Sequence, residues 1–526
     1  MKYSPFSQEV SCKLLRLVFV TSILLLFFAQ VIDYLNFGVD DVFISMRFAE
    51  NAARGNGLVY NIGENVEGYS NPLWVVLLVA AASLGLNSSH SAFGLLWFAK
   101  GMSFVFGIGV LVLLFFIAKK LERKSDSIIP LRLLVLLIAV SCGPFVLWCC
   151  GGLESLVTAF FLTLSIFLFQ KIWQKKENEE TVPLLYFILF SITLALASLT
   201  RPEPLLHAVM AIGFTLYGLR RSLRRIEGLS LVLPFFIIFS IFMAWRYLTY
   251  HDILPNTFYA KTGGGFKSYL LSMKYILGGV CMIGGPLILA IPFASQNRAS
   301  SLFKYCQVLV AASLVFMLYS GGDWMAGFRF FIPVAPIFFL AIAAGMSGLI
   351  NLLNTGNILS KAGVSKFLLF ILFLSFSTAF ADRILIRGQI QTMGTGFSAQ
   401  TGHSSPWNFE VGSWIRHHGG KSSLIATGEA GLIAYLNLNM RVIDLSGLAD
   451  IHIAQNLKLG IAANASYVLD QKPDYIILPS GDAESVILSD SRPTFSYYSA
   501  IAQSKDFKKE YHIEKRFMSL DLLARN

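Results

Sequence analysis

The chain predicts a polytopic α-helical membrane protein of about 11 transmembrane helices, N-terminus inside, carrying a small C-terminal extracytoplasmic α/β domain. Three observations carry this. Of 526 residues, 55% are hydrophobic, only 14% are charged, and Phe occurs 45 times, whereas a soluble domain is about 25% charged. Apolar runs of 17 or more residues recur along roughly the first 380 positions, long enough to cross a bilayer. Past about residue 382 the pattern changes to short apolar runs between Gly-, Pro- and Asn-rich turns, as buried strands require.

The first span, roughly Leu14 to Ile32, follows Lys2, Lys13 and Arg16 and has no small-residue cleavage site after it. It reads as a retained anchor. Further apolar segments lie near 72–86, 93–118, 130–150, 153–173, 182–199, 204–219, 229–250, 270–293, 305–319, 329–350 and 367–382. Counting all twelve as crossings would put "KKLERK" (119–124) and "RRSLRR" (220–225) outside, against the positive-inside rule. Segment 72–86, bounded by Pro72 and Gly85, is the weakest; if it stays at the outer interface, 11 spans remain and the basic loops all fall inside.

Sorting the loops by Lys and Arg alone also gathers the Gly-, Pro- and charge-rich clusters on the other side. These are "NFGVDD…NPLW" (36–74), "WCCGGLES", "TRPE", "HDILPNTFYAK" and "GGDWMAGFR". The division is thus a transmembrane domain, 1–382, with interfacial helices in its first outer loop (33–92), and an extracytoplasmic domain, 383–526. In the latter, "SSLIATGEAGLIAYLN" reads as strand, turn, then helix or second strand, and "RVIDLSGLAD" and "PDYIILPS" as short buried strands. The net charge of +11 belongs to inner loops and lipid headgroups; no basic face with interleaved aromatics marks a nucleic-acid partner.

The outer clusters hold the candidate chemistry. "DDVFISMRFAENAARGNG" reads as a helix from about Val42 to Arg54, stopped by Gly55 and Gly57. One of Asp40 and Asp41 suits an N-cap; the other can act as a general base, or both can hold a cation. Arg201, Arg246, Lys261 and Arg329 sit at the outer ends of apolar spans, where a charge is costly and is a functional candidate by default. Together they suit a phosphate. Glu67, Tyr69, Asn71, Glu154, Glu203, Asn256, Tyr259, Asp323 and Trp324 are the candidates to bind sugar and acceptor, Asp323 and Trp324 offering a hydroxyl acceptor beside a flat ring. No P-loop, H-E-x-x-H or Cys/His metal spacing is present.

The stretch "DDVFISMRFAENAARGNGLVYNIGENVEGYSNPLW", with "GGLES", "LTRPE", "LPNTFYAK", "GGDWMAGFRFFIP" and "DLSGLAD", resembles the GT-C superfamily of polyprenyl-phosphate-sugar glycosyltransferases. It looks most like the mycobacterial terminal β-(1→2) arabinofuranosyltransferase branch. The resemblance implies a bacterial inner-membrane enzyme with its active site facing the periplasm. It would move a sugar, arabinofuranose in that branch, from a polyprenyl-phosphate donor to a glycan, lipid or protein acceptor. The first acid of the family motif falls on Asp40, which the resemblance makes the base ahead of Asp41, with Arg201, Lys261 and Arg329 stabilising the leaving phosphate. Some related enzymes use a divalent cation and others do not, so a metal is left open. A multi-span transporter or channel for a small solute or lipid-linked substrate is the alternative; it would place its charges at the midplane, in paired halves.

Overall fold

The computed structural model describes residues 5–88, 93–122, 129–261, 266–294, 300–355, 361–392, 406–456, 461–479, 500–501, 504–517 and 520–526. The chain divides into two compact units. Unit 1 comprises Met1–Leu35, Lys100–Ser240 and Gly264–Met393; unit 2 comprises Asn36–Ala99, Ile241–Gly263 and Gly394–Asn526.

Among the described residues, eight helices are long and apolar enough to cross a membrane: Lys13–Tyr34, Gly94–Leu121, Ser155–Glu177, Arg225–Tyr250, Tyr269–Phe293, Ser301–Ser320, Ala335–Leu353 and Gly363–Ile390. At 1.5 Å per residue, about 20 residues match the ~30 Å hydrocarbon core. Their exposed side chains include Leu24, Leu25, Phe28, Ile32, Phe373 and Phe380, a surface suited to lipid and not to water.

A ninth candidate is broken. Helices Leu131–Ser141 and Gly143–Cys149 meet at 75°, because Pro144 lacks the amide that would continue the ladder. The freed amide of Gly143 donates to Asp382 Oδ2 at 2.8 Å. A Cβ at 143 would lie 2.6 Å from Asp382 Cβ, so glycine is what lets the carboxylate reach the break. Eleven crossings would also need Leu184–Thr200 and Pro204–Leu219, of 17 and 16 residues, both shorter than a standard span. Interhelical hydrogen bonds hold the interior of unit 1: Thr158 to Thr200 at 2.8 Å, His207 to Ser313 at 2.7 Å and Ser165 to Tyr305 at 3.0 Å.

Unit 2 is built on a five-stranded sheet. In chain order its strands are β1 (Leu424–Thr427), β2 (Arg441–Asp444), β3 (Tyr475–Pro479), β4 (Tyr511–Arg516) and β5 (Leu520–Arg525), and their spatial order is β2-β1-β3-β5-β4. β2, β1 and β3 run parallel; β5 is antiparallel to both β3 and β4. The three sequence-predicted strands are β1, β2 and β3, and the segment after "TGEAG" is a helix, Leu432–Leu436. Strand alternation sends Ile425 and Ile477 to one face and Ala426, Ile476 and Leu478 to the other.

The first face is covered by the loop that follows the first span. Helix α1 (Asp41–Ala53) and helix α2 (Pro72–Ser83) supply Ile44, Phe48 and Val75, and the connection between them Tyr60 and Tyr69, to one core with Val411, Ile415, Ile433 and Leu522. At 12 residues, α2 spans about 18 Å, too short to cross. Every residue of α1 from Val42 to Asn51 is buried, including the polar Ser45 and Glu50.

Two polar devices fix the loop to the sheet. Asn61 gives Val442 both bonds of a strand partner, accepting from its amide at 3.0 Å and donating to its carbonyl at 2.9 Å. This occupies the edge of β2, which would otherwise be open. Arg47 is fully buried. Its guanidinium donates to the carbonyls of Tyr60 (2.7 Å), Asn437 (3.2 Å), Met440 (2.7 Å) and Ala434, and to Asn61 Oδ1 (3.3 Å).

Candidate functional site

Asp40 stands at the N-cap position of α1, yet its side chain makes no bond to that helix. The expected cap is replaced by a longer-range one. Oδ2 accepts from the amide of Gly431 at 2.8 Å, and Oδ1 accepts from Leu432 N at 2.9 Å and Asn408 Nδ2 at 3.1 Å. Gly431 has to be glycine: a Cβ there would stand 2.6 Å from Asp40 Cγ and closer still to its carbonyl oxygen and Oδ2. A carboxylate has about four acceptor sites, so three donors leave one for a hydroxyl.

Burial pushes the Asp40 carboxyl above its usual range, opposed by the Leu432, Asn408 and Gly431 bonds and reinforced by the charge of Asp41. Asn408 Nδ2 also donates to Glu429 Oε2 at 2.9 Å. Burial, then the charges of Asp40 and Asp41, push Glu429 up to about 7. Desolvation and a like charge both disfavour the ionised form, so this is a site where a carboxyl can take up a proton near neutral pH.

A second part of unit 2 gathers Glu67 and Arg246. Their side chains pair at 2.7 Å (Nε to Oε2) and 3.0 Å (Nη2 to Oε1), and Arg246 Nη1 donates to Ile253 O at 3.2 Å. The open cation expected at Arg246 is a closed, two-pronged ion pair. Burial raises Glu67 to about 7 even so, with Arg246 opposing. Tyr69 OH meets Tyr250 OH at 3.1 Å, and Asn71 faces Ser45 at 3.3 Å. Asn256 spends its amide nitrogen on the carbonyls of Gly447, Leu448 and Asp450 at 2.9, 3.0 and 3.2 Å. Tyr259 donates to Asp252 at 3.0 Å. Lys261 closes the short helix Asn256–Lys261; its side chain lies outside the described residues.

Unit 1 holds the remaining candidates. Arg201 Nη1 pairs with Glu154 at 2.7 Å and its Nε with Glu203. Arg329 Nε pairs with Asp323 at 2.8 Å. The ring of Phe330 stands 5.0 Å from one guanidinium and 5.4 Å from the other. Among the described residues the terminal nitrogens of Arg329 have no hydrogen-bond partner, although the residue is only 7% exposed. Gly321 and Gly322, both with positive φ (83° and 86°), make the turn that precedes Asp323. Of the nine sugar and acceptor candidates, Trp324 is exposed, Tyr259 and Asp323 are half-buried and the other six are buried.

Sequence reasoning did not find Arg47, Asn408, Glu429 or Gly431. A signal existed for Glu429, an acid in a Gly-flanked turn directly after a predicted strand. Nothing local marks Asn408, whose partner Asp40 lies 368 positions away. Among the described residues no group of three or more His, Cys, Asp or Glu is arranged to hold a metal ion.

A family model described as a domain of unknown function (DUF8728) matches residues 392–524, the stretch that holds the sheet. No curated protein matches the chain. Among solved structures it is similar to ArnT from Cupriavidus metallidurans bound to undecaprenyl phosphate, at 12% identity, 97% coverage of each chain and a TM-score of 0.55. It is also similar to the oligosaccharyltransferase AglB from Archaeoglobus fulgidus, solved with an inhibitory peptide and a dolichol-phosphate. There the identity is 11%, the coverage 87% of this chain and 69% of that one, and the TM-score 0.54. Arabinofuranosyltransferase AftD from Mycobacteria aligns at 13% identity, over 98% of this chain and 40% of its own, with a TM-score of 0.48, too low to carry an argument about branch. At these identities the likeness is one of fold. The chain shares its fold with ArnT and with the oligosaccharyltransferase AglB.

Proposed function

We propose that this chain is an integral membrane glycosyltransferase that moves a sugar from a polyprenyl-phosphate donor to a glycan, lipid or protein acceptor. The observation that carries the reading is the full-length fold likeness to a chain solved with undecaprenyl phosphate, supported by a likeness to one solved with a dolichol-phosphate. Arabinofuranose is the sugar we assign, on the resemblance of residues 40–74. The location we assign is a bacterial inner membrane with the site on the periplasmic side. The sorting of Lys- and Arg-rich loops supports that side.

Asp40 is the proposed base, with Asp41 as its alternate. The acceptor hydroxyl gives its proton to the Asp40 carboxylate as its oxygen attacks the anomeric carbon. The bond from that carbon to the phosphate oxygen breaks, and its electron pair leaves with the polyprenyl phosphate. The proton then passes from Asp40 to water. Of the cations named from the sequence, Arg329 is the first assigned to the leaving phosphate, because its terminal nitrogens are without partners among the described residues. Arg201, already shared by two carboxylates, and Lys261 follow.

The test is Asp40→Asn in membranes supplied with polyprenyl-phosphate arabinofuranose carrying a radiolabel. Loss of a general base costs about 10²- to 10⁴-fold, so transfer is expected to fall by at least about 100-fold. Wild-type transfer by the variant would refute the assignment of Asp40. A wild-type chain that moves labelled solute across vesicles without transferring sugar would instead support a transporter.

A further inference from the structure

We propose that the region matched by the model of unknown function completes the acid site: Asn408 and Glu429 are positioning residues for Asp40. In this role Asn408 orients its carboxylate, and Glu429 holds a second carboxyl group against the same amide. The proposal rests on the reading of Asp40 as the base.

Four contacts carry it. The Asn408 nitrogen has two hydrogens and two carboxylate neighbours, Asp40 Oδ1 at 3.1 Å and Glu429 Oε2 at 2.9 Å. Each hydrogen is thereby committed to a different acid, which sets where both carboxyl groups point. The remaining two contacts to Asp40 are the amides of Gly431 and Leu432, in the same turn as Glu429. That turn is itself pinned, because Glu429 N donates to Thr427 Oγ1 at 3.0 Å at the end of β1. Among the described residues, the hydrogen-bond donors to the Asp40 carboxylate therefore come from residues 408–432, within the region of unknown function.

The charge arrangement gives Glu429 a task beyond packing. The ionisable groups acting on it are Asp40 and Asp41. Helix Pro406–His418 contributes the neutral Asn408. From helix Leu432–Leu436, Tyr435 donates to Glu50 instead. Two carboxyl groups across one amide, in a desolvated place, resist ionising together. The pair keeps one proton near neutral pH. While Glu429 holds it, Asp40 is the charged member and is free to take the acceptor proton. As Glu429 ionises, its charge makes Asp40 more basic.

The experiment compares Glu429→Gln, Glu429→Asp, Asn408→Ala and Asp40→Asn in the full chain, with polyprenyl-phosphate arabinofuranose as donor and infrared difference spectra across pH 5 to 9. Glu429→Gln, whose side chain is neutral at every pH, is expected to leave the acid limb of kcat/KM in place and to lower the rate severalfold above about pH 7, where an ionised Glu429 would have made Asp40 more basic. It should also remove a protonated-carboxyl band that the wild type shows near neutral pH. Glu429→Asp should recover part of both. Asn408→Ala should lower kcat with little change in donor KM. Glu429→Gln with wild-type rates above about pH 7 and an unchanged infrared band would overturn the proposal even if Asp40→Asn is inactive. If Asp40→Asn retains full transfer, the reading of Asp40 fails instead. The infrared band depends on no donor, and so still reports on the carboxyl pair. A variant that does not fold is replaced in the comparison by Glu429→Asp, whose rate above about pH 7 and band must then change for the proposal to stand.

Discussion

Replacing Gly431 with Ala tests whether the position of the Asp40 carboxylate, and not merely its presence, sets the rate. The added methyl would stand 2.6 Å from Asp40 Cγ, where ordinary contacts begin at 3.4 Å, and closer still to the carbonyl oxygen of Asp40. The neighbour is partly backbone, so it cannot swing away as a side-chain tip can. Asp40 or the turn must retreat by about 1 Å, and a misplacement of that size costs about 100-fold in rate. The φ of Gly431 is −87°, so the position is set by this close contact and not by a left-handed backbone. We expect kcat for transfer to fall by about 100-fold, with donor KM within about threefold of wild type, because no atom of the change need touch the lipid. The assay is initial-rate transfer of labelled sugar in detergent, beside a thermal unfolding curve. Wild-type kcat in a folded Gly431→Ala chain would refute the reasoning, since the overlap could then be relieved without consequence for the base. An equal loss in kcat and melting temperature would assign the contact to stability.

Arg47→Met should destabilise unit 2 by about 3 to 5 kcal/mol, because it leaves several buried carbonyl acceptors unpaired at about 1 to 3 kcal/mol each. It strips donors from four carbonyls and from Asn61. Arg47→Lys should recover little, having three donors on a point charge. An unchanged unfolding curve for Arg47→Met would show the network to be dispensable. The buried carboxyls of unit 2 give its stability an unusual pH slope. Glu67, pushed up to about 7, and Asp444, pushed up to about 6 by burial against its bonds to Ser446 and Ala449, both bind a proton more tightly folded than unfolded. Their contribution is therefore fully present below the unfolded values near 4, and is lost as pH rises through about 6 to 7. Melting temperature should fall between pH 5 and pH 7.5 and level off above; a rise across that interval would contradict the assignment.

The sequence alone determined the membrane class, because hydropathy over about 20 residues is a local property and lipid tolerates little else. It also determined a helix from about Val42 to Arg54 with its glycine stop, three short buried strands, and the loops where charge gathers, since alternation and turn chemistry act within a few residues. Even the weak segment at 72–86 showed its shortness. Only the tertiary structure decided which of these charges are already spent. Glu67 and Arg246 are 179 positions apart, and Arg201 and Glu154 are 47 apart; no pattern in either stretch announces the pairing. The same holds for Asp40. Its neighbours in sequence suggest a cap for its own helix, while its hydrogen bonds go to Asn408, Gly431 and Leu432. A half-buried carboxylate takes whatever donors the folded chain brings within about 3 Å. Which donors those are is settled by the packing of the loop onto the sheet, a contact between segments nearly 400 residues apart that no local signal encodes.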